Sequence, residues 1–184
     1  GGTLRNVAAE IIPVMTPGSA LIDCSTVDVD SARDVAAMAA EAGLLAVDAP
    51  VSGGVGGAQN GSLTFMAGGP EAGFALAEPL FEIMGAKAVH CGDSGAGQAA
   101  KICNNMILGA TMIVTCEAFA LADGLGLDRQ KMFDVVSTSS GYSWSMNNYC
   151  PAPGIGPDSP ADHHYTPGFS ADLMLKDLRL ALQA

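Results

Sequence analysis

The sequence predicts an α/β fold followed by an all-helical region, and three observations carry that prediction. Up to about Cys91, short apolar or β-branched runs alternate with Ala-rich stretches of helical length, the pattern of strands joined by crossover helices. From Gly97 onward the strand signal disappears. Where the two regions meet, residues 98–122 have the length and composition of one long helix.

Ala20-Leu21-Ile22-Asp23 reads as a buried strand. Ser31 to Ala42 reads as a helix that Gly43 closes, because glycine accepts the left-handed backbone common at helix ends. Leu44 to Asp48 is a second strand, Leu63 to Ala67 a third, Glu71 to Met84 a helix and Ala86 to Cys91 a fourth strand. A return through Asn60-Gly61 is expected to add an antiparallel pair at the sheet edge. The long helix ends at Gly124 and Gly126, and Asp128 caps the next one. Ser137 to Gly141 is a turn. Pro151 to Pro160 is irregular, since its prolines lack donors and fix φ. Ala171 to Gln183 is helical again. With no methionine before the first strand and an end inside a helix, the chain is expected to be truncated. It reads as the rear of an α/β domain, residues 1–95, and the front of a helical one, residues 96–184.

Composition excludes several function classes. Hydrophobic residues make up 49% of the 184 and charged residues only 15%, so a disordered chain is excluded. A net charge of -11 argues against a nucleic-acid or anionic-membrane partner. The longest apolar run, Met106 to Cys116, contains Gly and Thr and is too short to span a bilayer. The N-terminal residues lack a secretory pattern, so a secreted protein is not expected. Five cysteines without a C-x-x-C pair read as reduced, small buried residues.

The stretch from Asp48 to Gly61 carries the strongest chemical signal. Ser52, Gly53 and Gly54 follow an apolar strand directly, and in open α/β sheets ligands bind at that end. Adjacent glycines let backbone N–H groups approach an anion, although a plain surface turn has the same composition. Gly95-Ala-Gly97-Gln-Ala-Ala100 formally fits a dinucleotide motif, but no second strand follows, so it reads as a helix start.

Lys101 and Asn105 lie four apart, on one face of the long helix, beside Ile102, Met106, Leu108 and Ile113. This helix is therefore expected to be largely buried. An apolar setting disfavours a lysine's charged form and suits it to proton transfer; a snorkelling surface lysine is the competing reading. Lys176-Asp177 reads on spacing as an exposed ion pair. His163-His164 lies in the Pro-rich loop without partners at ligand spacing, so no metal is expected. Trp144 reads as a packing anchor, with a pocket wall as the second possibility.

Together these segments resemble the β-hydroxyacid dehydrogenase family, in order and over essentially the whole chain. The residues that carry the resemblance are Asp23-Cys-Ser-Thr26-Val27, Asp48-Ala-Pro-Val-Ser-Gly-Gly54, Gly97-Gln-Ala-Ala-Lys101-Ile-Cys-Asn-Asn105 and Lys176-Asp-Leu178. The resemblance implies a Rossmann-type nucleotide-binding domain, a long interdomain helix and a helical substrate and dimerisation domain. It implies Lys101 as general acid/base and Asn105 as the residue that orients substrate. Ser52, Gly53 and Gly54 would hold the substrate carboxylate, with Trp144 as a pocket wall. Thr26 and Lys176 would contact the cofactor, NAD rather than NADP. The implied reaction is oxidation of 3-hydroxyisobutyrate to methylmalonate semialdehyde, in valine degradation. Tartronate semialdehyde reduction is the alternative, and a non-catalytic binding module is the alternative of another class. A homo-oligomer, dimer or tetramer, is implied too, in the cytoplasm of a bacterium or the mitochondrial matrix of a eukaryote. If the front of the nucleotide-binding domain is missing, these residues alone are expected to bind NAD weakly.

Overall fold

A computed structural model describes residues 1–184. The elements run α1 (Gly2–Ile11), β1 (Ala20–Asp23), α2 (Val29–Glu41), β2 (Leu45–Asp48), β3 (Val51–Ser52) and α3 (Gly54–Gln59). They continue with β4 (Leu63–Gly68), α4 (Glu71–Met84), β5 (Gly85–Gly92), α5 (Ala96–Gly124), α6 (Arg129–Val136), α7 (Trp144–Asn147) and α8 (Ala171–Gln183). The chain is α/β, then helical, and divides into two compact units: Gly1–Cys103 with Arg179–Ala184, and Asn104–Leu178.

The first unit holds a five-stranded mixed sheet in the order β1-β2-β4-β3, with β5 also paired to β4. β1 and β2 are parallel, Ala20 facing Leu45 and Asp23 facing Asp48, while β4 and β5 form a second parallel pair. β2 and β3 share one antiparallel register against β4: Asp48 faces Gly68, Val51 faces Phe65 and Ser52 faces Thr64. Ala49 and Pro50 divide them; Pro50 has no N–H to give the ladder, but its carbonyl still accepts from the Met66 amide at 3.0 Å. The antiparallel pair expected at the edge therefore lies inside the sheet, with β5 beyond it.

Alternation along the strands fills two cores. Val47 and Phe65 face α4, packing with Ala49, Ala67, Ala77 and Phe81. The Phe65 and Phe81 rings stack at 4.4 Å. Leu21 and Ala46 point the other way, onto Ala8, Ile12, Val35, Ala39 and Leu44. The helix supplying Ala8, α1, was not expected from the sequence: it has no side-chain cap and buries one residue. α2 is capped by Asp28, which accepts from the Ser31 amide at 2.8 Å.

In the second unit, Phe119, Ala122, Met132, Met146, Cys150 and Ala152 form the core. Gly109 of α5 lets Leu178 and Met174 of α8 approach so closely that a Cβ there would lie 3.0 Å from a Leu178 methyl. Asp128 caps α6 through the Lys131 amide at 3.0 Å, as its position suggested.

Two expectations fail on burial. α5 is not largely buried: Met106, Ile107, Ile113, Val114 and Leu121 are exposed, because apolar composition does not show how many faces a helix has covered. By length and composition alone this helix is long and apolar enough to cross a membrane, although its longest apolar run, Met106 to Cys116, is short. The cysteines are likewise not uniformly buried; Cys24, Cys103 and Cys116 are exposed, and only Cys150 is buried.

Candidate active site

In the first unit, the carboxyl ends of β1 and β2 lie side by side. Asp23 faces Asp48, and the Ala49 amide donates to the Asp23 carbonyl at 2.7 Å. The segment leaving β1, residues 24–28, belongs to no helix or strand. The start of α5 is fastened to this end of the sheet by Asp48, which is only 6% exposed. Its Oδ1 accepts from the Gly95 amide at 2.7 Å and its Oδ2 from the Gln98 amide at 2.9 Å. Those amides are among the donors that a helix start leaves without intrahelical partners. Burial pushes the Asp48 carboxyl above its ordinary range, and the Gly95 and Gln98 amides oppose part of that rise.

Glycines allow this close approach. A Cβ on Gly68 would lie 2.6 Å from the Gly97 nitrogen, and one on Gly97 would collide with the Met66 and Asp48 carbonyls. Gly95 holds φ +89°, which an L side chain rarely adopts. The Gly95-x-Gly97 stretch is thus a helix start packed on strand ends, as its sequence suggested.

Lys101 lies less than one turn beyond Gln98 and is 9% exposed. Thr26 belongs to the same unit, in the segment after β1, and is partly buried. Ser52 closes β3, opposite Thr64. Gly53 and Gly54, read as part of a loop, instead lead into a six-residue helix, with Gly53 at φ +131° allowing the turn. A side chain on Gly53 would press on a Leu63 methyl at 3.1 Å.

In the second unit, Asn105 is 1% exposed and Asp177 3%. The Asn105 Nδ2 donates to Asp177 Oδ2 at 2.6 Å, and Asn104 Nδ2 donates to the Asn105 Oδ1 at 2.9 Å. Lys176 Nζ lies 2.9 Å from Asp177 Oδ1, with 44% of the lysine side chain exposed. The surface ion pair expected here is therefore half wrong. The carboxylate is buried against Asn105, where the low dielectric strengthens its hydrogen bond. Trp144 begins α7 and is 51% exposed, its ring stacked on Tyr149 at 5.1 Å; it is not a core anchor. His163 pairs with Asp158 at 2.9 Å, which raises its pKa.

Three residues at these places escaped sequence reasoning: Asp48 as a helix clamp, Gln98, and Asp177. All three stand inside motifs noted in the sequence, but their partners lie 47 to 73 residues away.

Comparison with known proteins gives the following. Residues 1–92 match the family model for the NAD binding domain of 6-phosphogluconate dehydrogenase. Residues 95–184 match that for NAD-binding of NADP-dependent 3-hydroxyisobutyrate dehydrogenase. A 3-hydroxyisobutyrate dehydrogenase of Pseudomonas aeruginosa is 54% identical over 88% of this chain and 54% of its own length. An NAD-dependent L-serine dehydrogenase of the same organism is 46% identical over 92% of this chain and 57% of its own. A solved structure of Mycobacterium tuberculosis 3-hydroxyisobutyrate dehydrogenase with L-serine superposes at a TM-score of 0.94. It has 46% identity and covers 99% of this chain and 62% of that one. The chain thus spans between about half and two thirds of the length of the relatives it matches.

Proposed function

The chain belongs to the β-hydroxyacid dehydrogenase family, beside the 3-hydroxyisobutyrate dehydrogenases, and on that premise we propose that the full-length protein is an NAD-dependent dehydrogenase of a small 3-hydroxy acid. The substrate proposed is 3-hydroxyisobutyrate, oxidised to methylmalonate semialdehyde as in valine degradation. The observation that carries the reading is the placement of Lys101. It is a buried lysine on the first turns of a helix that is clamped to the carboxyl ends of parallel strands. In α/β sheets that is where ligands bind.

NAD, when bound, supplies the acceptor for the hydride leaving the hydroxyl-bearing carbon. The backbone after β1 fits such a group, because residues 24–28 lie at the strand end outside regular structure. Thr26 and Lys176 are the side chains proposed to contact it. The remaining work falls to the chain's own groups. Lys101, as the free amine, accepts the hydroxyl proton as the carbonyl forms; in the reverse direction it returns that proton. Asn105 orients the substrate, its amide held from both sides by Asp177 and Asn104. Ser52 and the backbone of Gly53 and Gly54 receive the carboxylate, and Trp144 serves as a pocket wall. The net charge of -11 does not oppose this, since distant charges are screened beyond about 8–10 Å.

The domain division proposed is a nucleotide-binding part over residues 1–95 and a helical substrate and dimerisation part from residue 96. A homo-oligomer and a bacterial cytoplasmic or mitochondrial matrix setting accompany the reading. A second substrate, L-serine, is favoured by the relative and the solved structure whose names carry it. Serine too bears a carboxylate and a hydroxyl on carbon 3. The test is kcat/KM of the full-length enzyme on 3-hydroxyisobutyrate, L-serine and tartronate semialdehyde, each with NAD(H) and NADP(H). The proposal expects 3-hydroxyisobutyrate with NAD to lead. A higher value for either other substrate overturns the assignment.

A further inference from the structure

One buried side chain beside Lys101 has no part in the mechanism above. Gln98 is 0% exposed. Its Nε2 donates to the Ser25 carbonyl at 2.8 Å, and its Oε1 accepts from the Val27 amide at 3.0 Å. The two backbone groups it binds belong to the residues on either side of Thr26. A carboxamide offers a donor and an acceptor from one planar group, so a single side chain can satisfy both a C=O and an N–H of the same short segment. The Gln98 backbone is itself fixed, its N–H on Asp48 Oδ2 at 2.9 Å.

The segment needs outside support. Residues 24–28 form no helix or strand, and the Ser25 amide turns back onto the Asp23 carboxylate at 3.1 Å. The Gln98 bonds cross 71 and 73 residues of sequence and tie this stretch to the turn of α5 that precedes Lys101. Elsewhere in the chain, the hydroxyl of the buried Ser159 bonds nearby residues, Cys150 and Ala161. Gln98 instead joins the two pieces of the first unit to which the proposed chemistry assigns different tasks.

We propose that Gln98 is a positioning residue for the cofactor: by holding the backbone on both sides of Thr26, it sets the NAD-contacting segment against the helix that carries Lys101. The inference rests on the reading of the segment after β1, residues 24–28, as a cofactor contact. It adds that NAD affinity depends on a side chain that does not touch NAD.

The experiment uses the full-length enzyme with Gln98→Ala and Gln98→Glu. The readouts are NAD Kd by titration calorimetry, then kcat and substrate KM at saturating NAD. Gln98→Glu keeps the shape and the acceptor toward Val27 but sets an oxygen against the Ser25 carbonyl, so it serves if Gln98→Ala does not fold. The expected result is NAD binding weakened about tenfold, with kcat and substrate KM changed less than about threefold. A purely structural Gln98 would lower thermal stability and leave NAD Kd of the folded enzyme within about twofold; that outcome overturns the proposal. Thr26→Val distinguishes a direct cofactor contact at Thr26 from the positioning role of Gln98. If it weakens NAD binding while the Gln98 variants do not, the cofactor reading stands and this inference falls. If the Gln98 variants weaken binding and Thr26→Val does not, Thr26 is retired as the contact and Gln98 remains the residue that sets the segment.

Discussion

Asp48→Ala isolates the clamp at the start of α5. The substitution removes two hydrogen bonds, from the Gly95 amide at 2.7 Å and the Gln98 amide at 2.9 Å, at a site only 6% exposed. A buried donor left without a partner costs about 1–3 kcal/mol, so two orphaned amides cost about 2–6 kcal/mol. Against this stands the relief of no longer burying a carboxylate, whose pKa burial has already raised. A net destabilisation of about 2–3 kcal/mol follows from taking the lower part of that range. With a urea dependence of about 2.5 kcal/mol per molar, the unfolding midpoint should fall by about 1 M. The assay is urea denaturation of the full-length protein followed by far-UV circular dichroism, with hydrogen exchange read at the Gly95 and Gln98 amides. Asp48→Asn, which keeps one acceptor oxygen, should lose less. A midpoint shift below about 0.2 M, or undiminished protection of both amides, would refute the clamp.

Other predictions concern the second unit and the acid response. Asp177→Asn is nearly isosteric but takes the charge from the acceptor of Asn105 Nδ2, 2.6 Å away; it should lower kcat/KM about tenfold while circular dichroism is unchanged. Wild-type kinetics in that variant would separate Asp177 from catalysis. The hydroxyl of Ser31, first among several hydrogen bonds, holds Asp28 at about 2, below its ordinary 3.8. A carboxylate lowered in the folded state adds stability that is fully present above 3.8 and is lost as pH falls toward about 2. Thermal melts between pH 5 and pH 2 should therefore show a smaller acid-induced drop in Asp28→Asn than in the parent protein. Equal drops would contradict the assignment.

What could be read from the sequence, and what could not, divides along physical lines. Strands and helices with local signals were legible: α4 begins at Glu71 after Pro70, and Asp128 caps α6 as its position suggested. The first helix was not, because it lacks a side-chain cap and buries only Ala8. The antiparallel strand was legible as a pair but not in its place, since the shared register of β2 and β3 across Pro50 is a property of the paired chain. The identities of Lys101 and Asn105 stood out as polar residues in an apolar helix, and both are buried. What surrounds them was hidden, because Asp48 and Gln98 at the helix start and Asp177 beside Asn105 work through bonds that span 47 to 73 residues. Apolar composition also misled on α5, where Ile107, Ile113 and Val114 are exposed and only one face is covered in this chain.

Whether Lys101 moves the substrate proton is measured most directly by turnover of the full-length enzyme carrying Lys101→Met. Methionine fills a similar volume but cannot accept a proton, so kcat should fall about 10²–10⁴-fold, with NAD Kd and thermal stability close to those of the parent. A Lys101→Met enzyme that folds, binds NAD and turns over 3-hydroxyisobutyrate within about threefold of the parent would contradict the account.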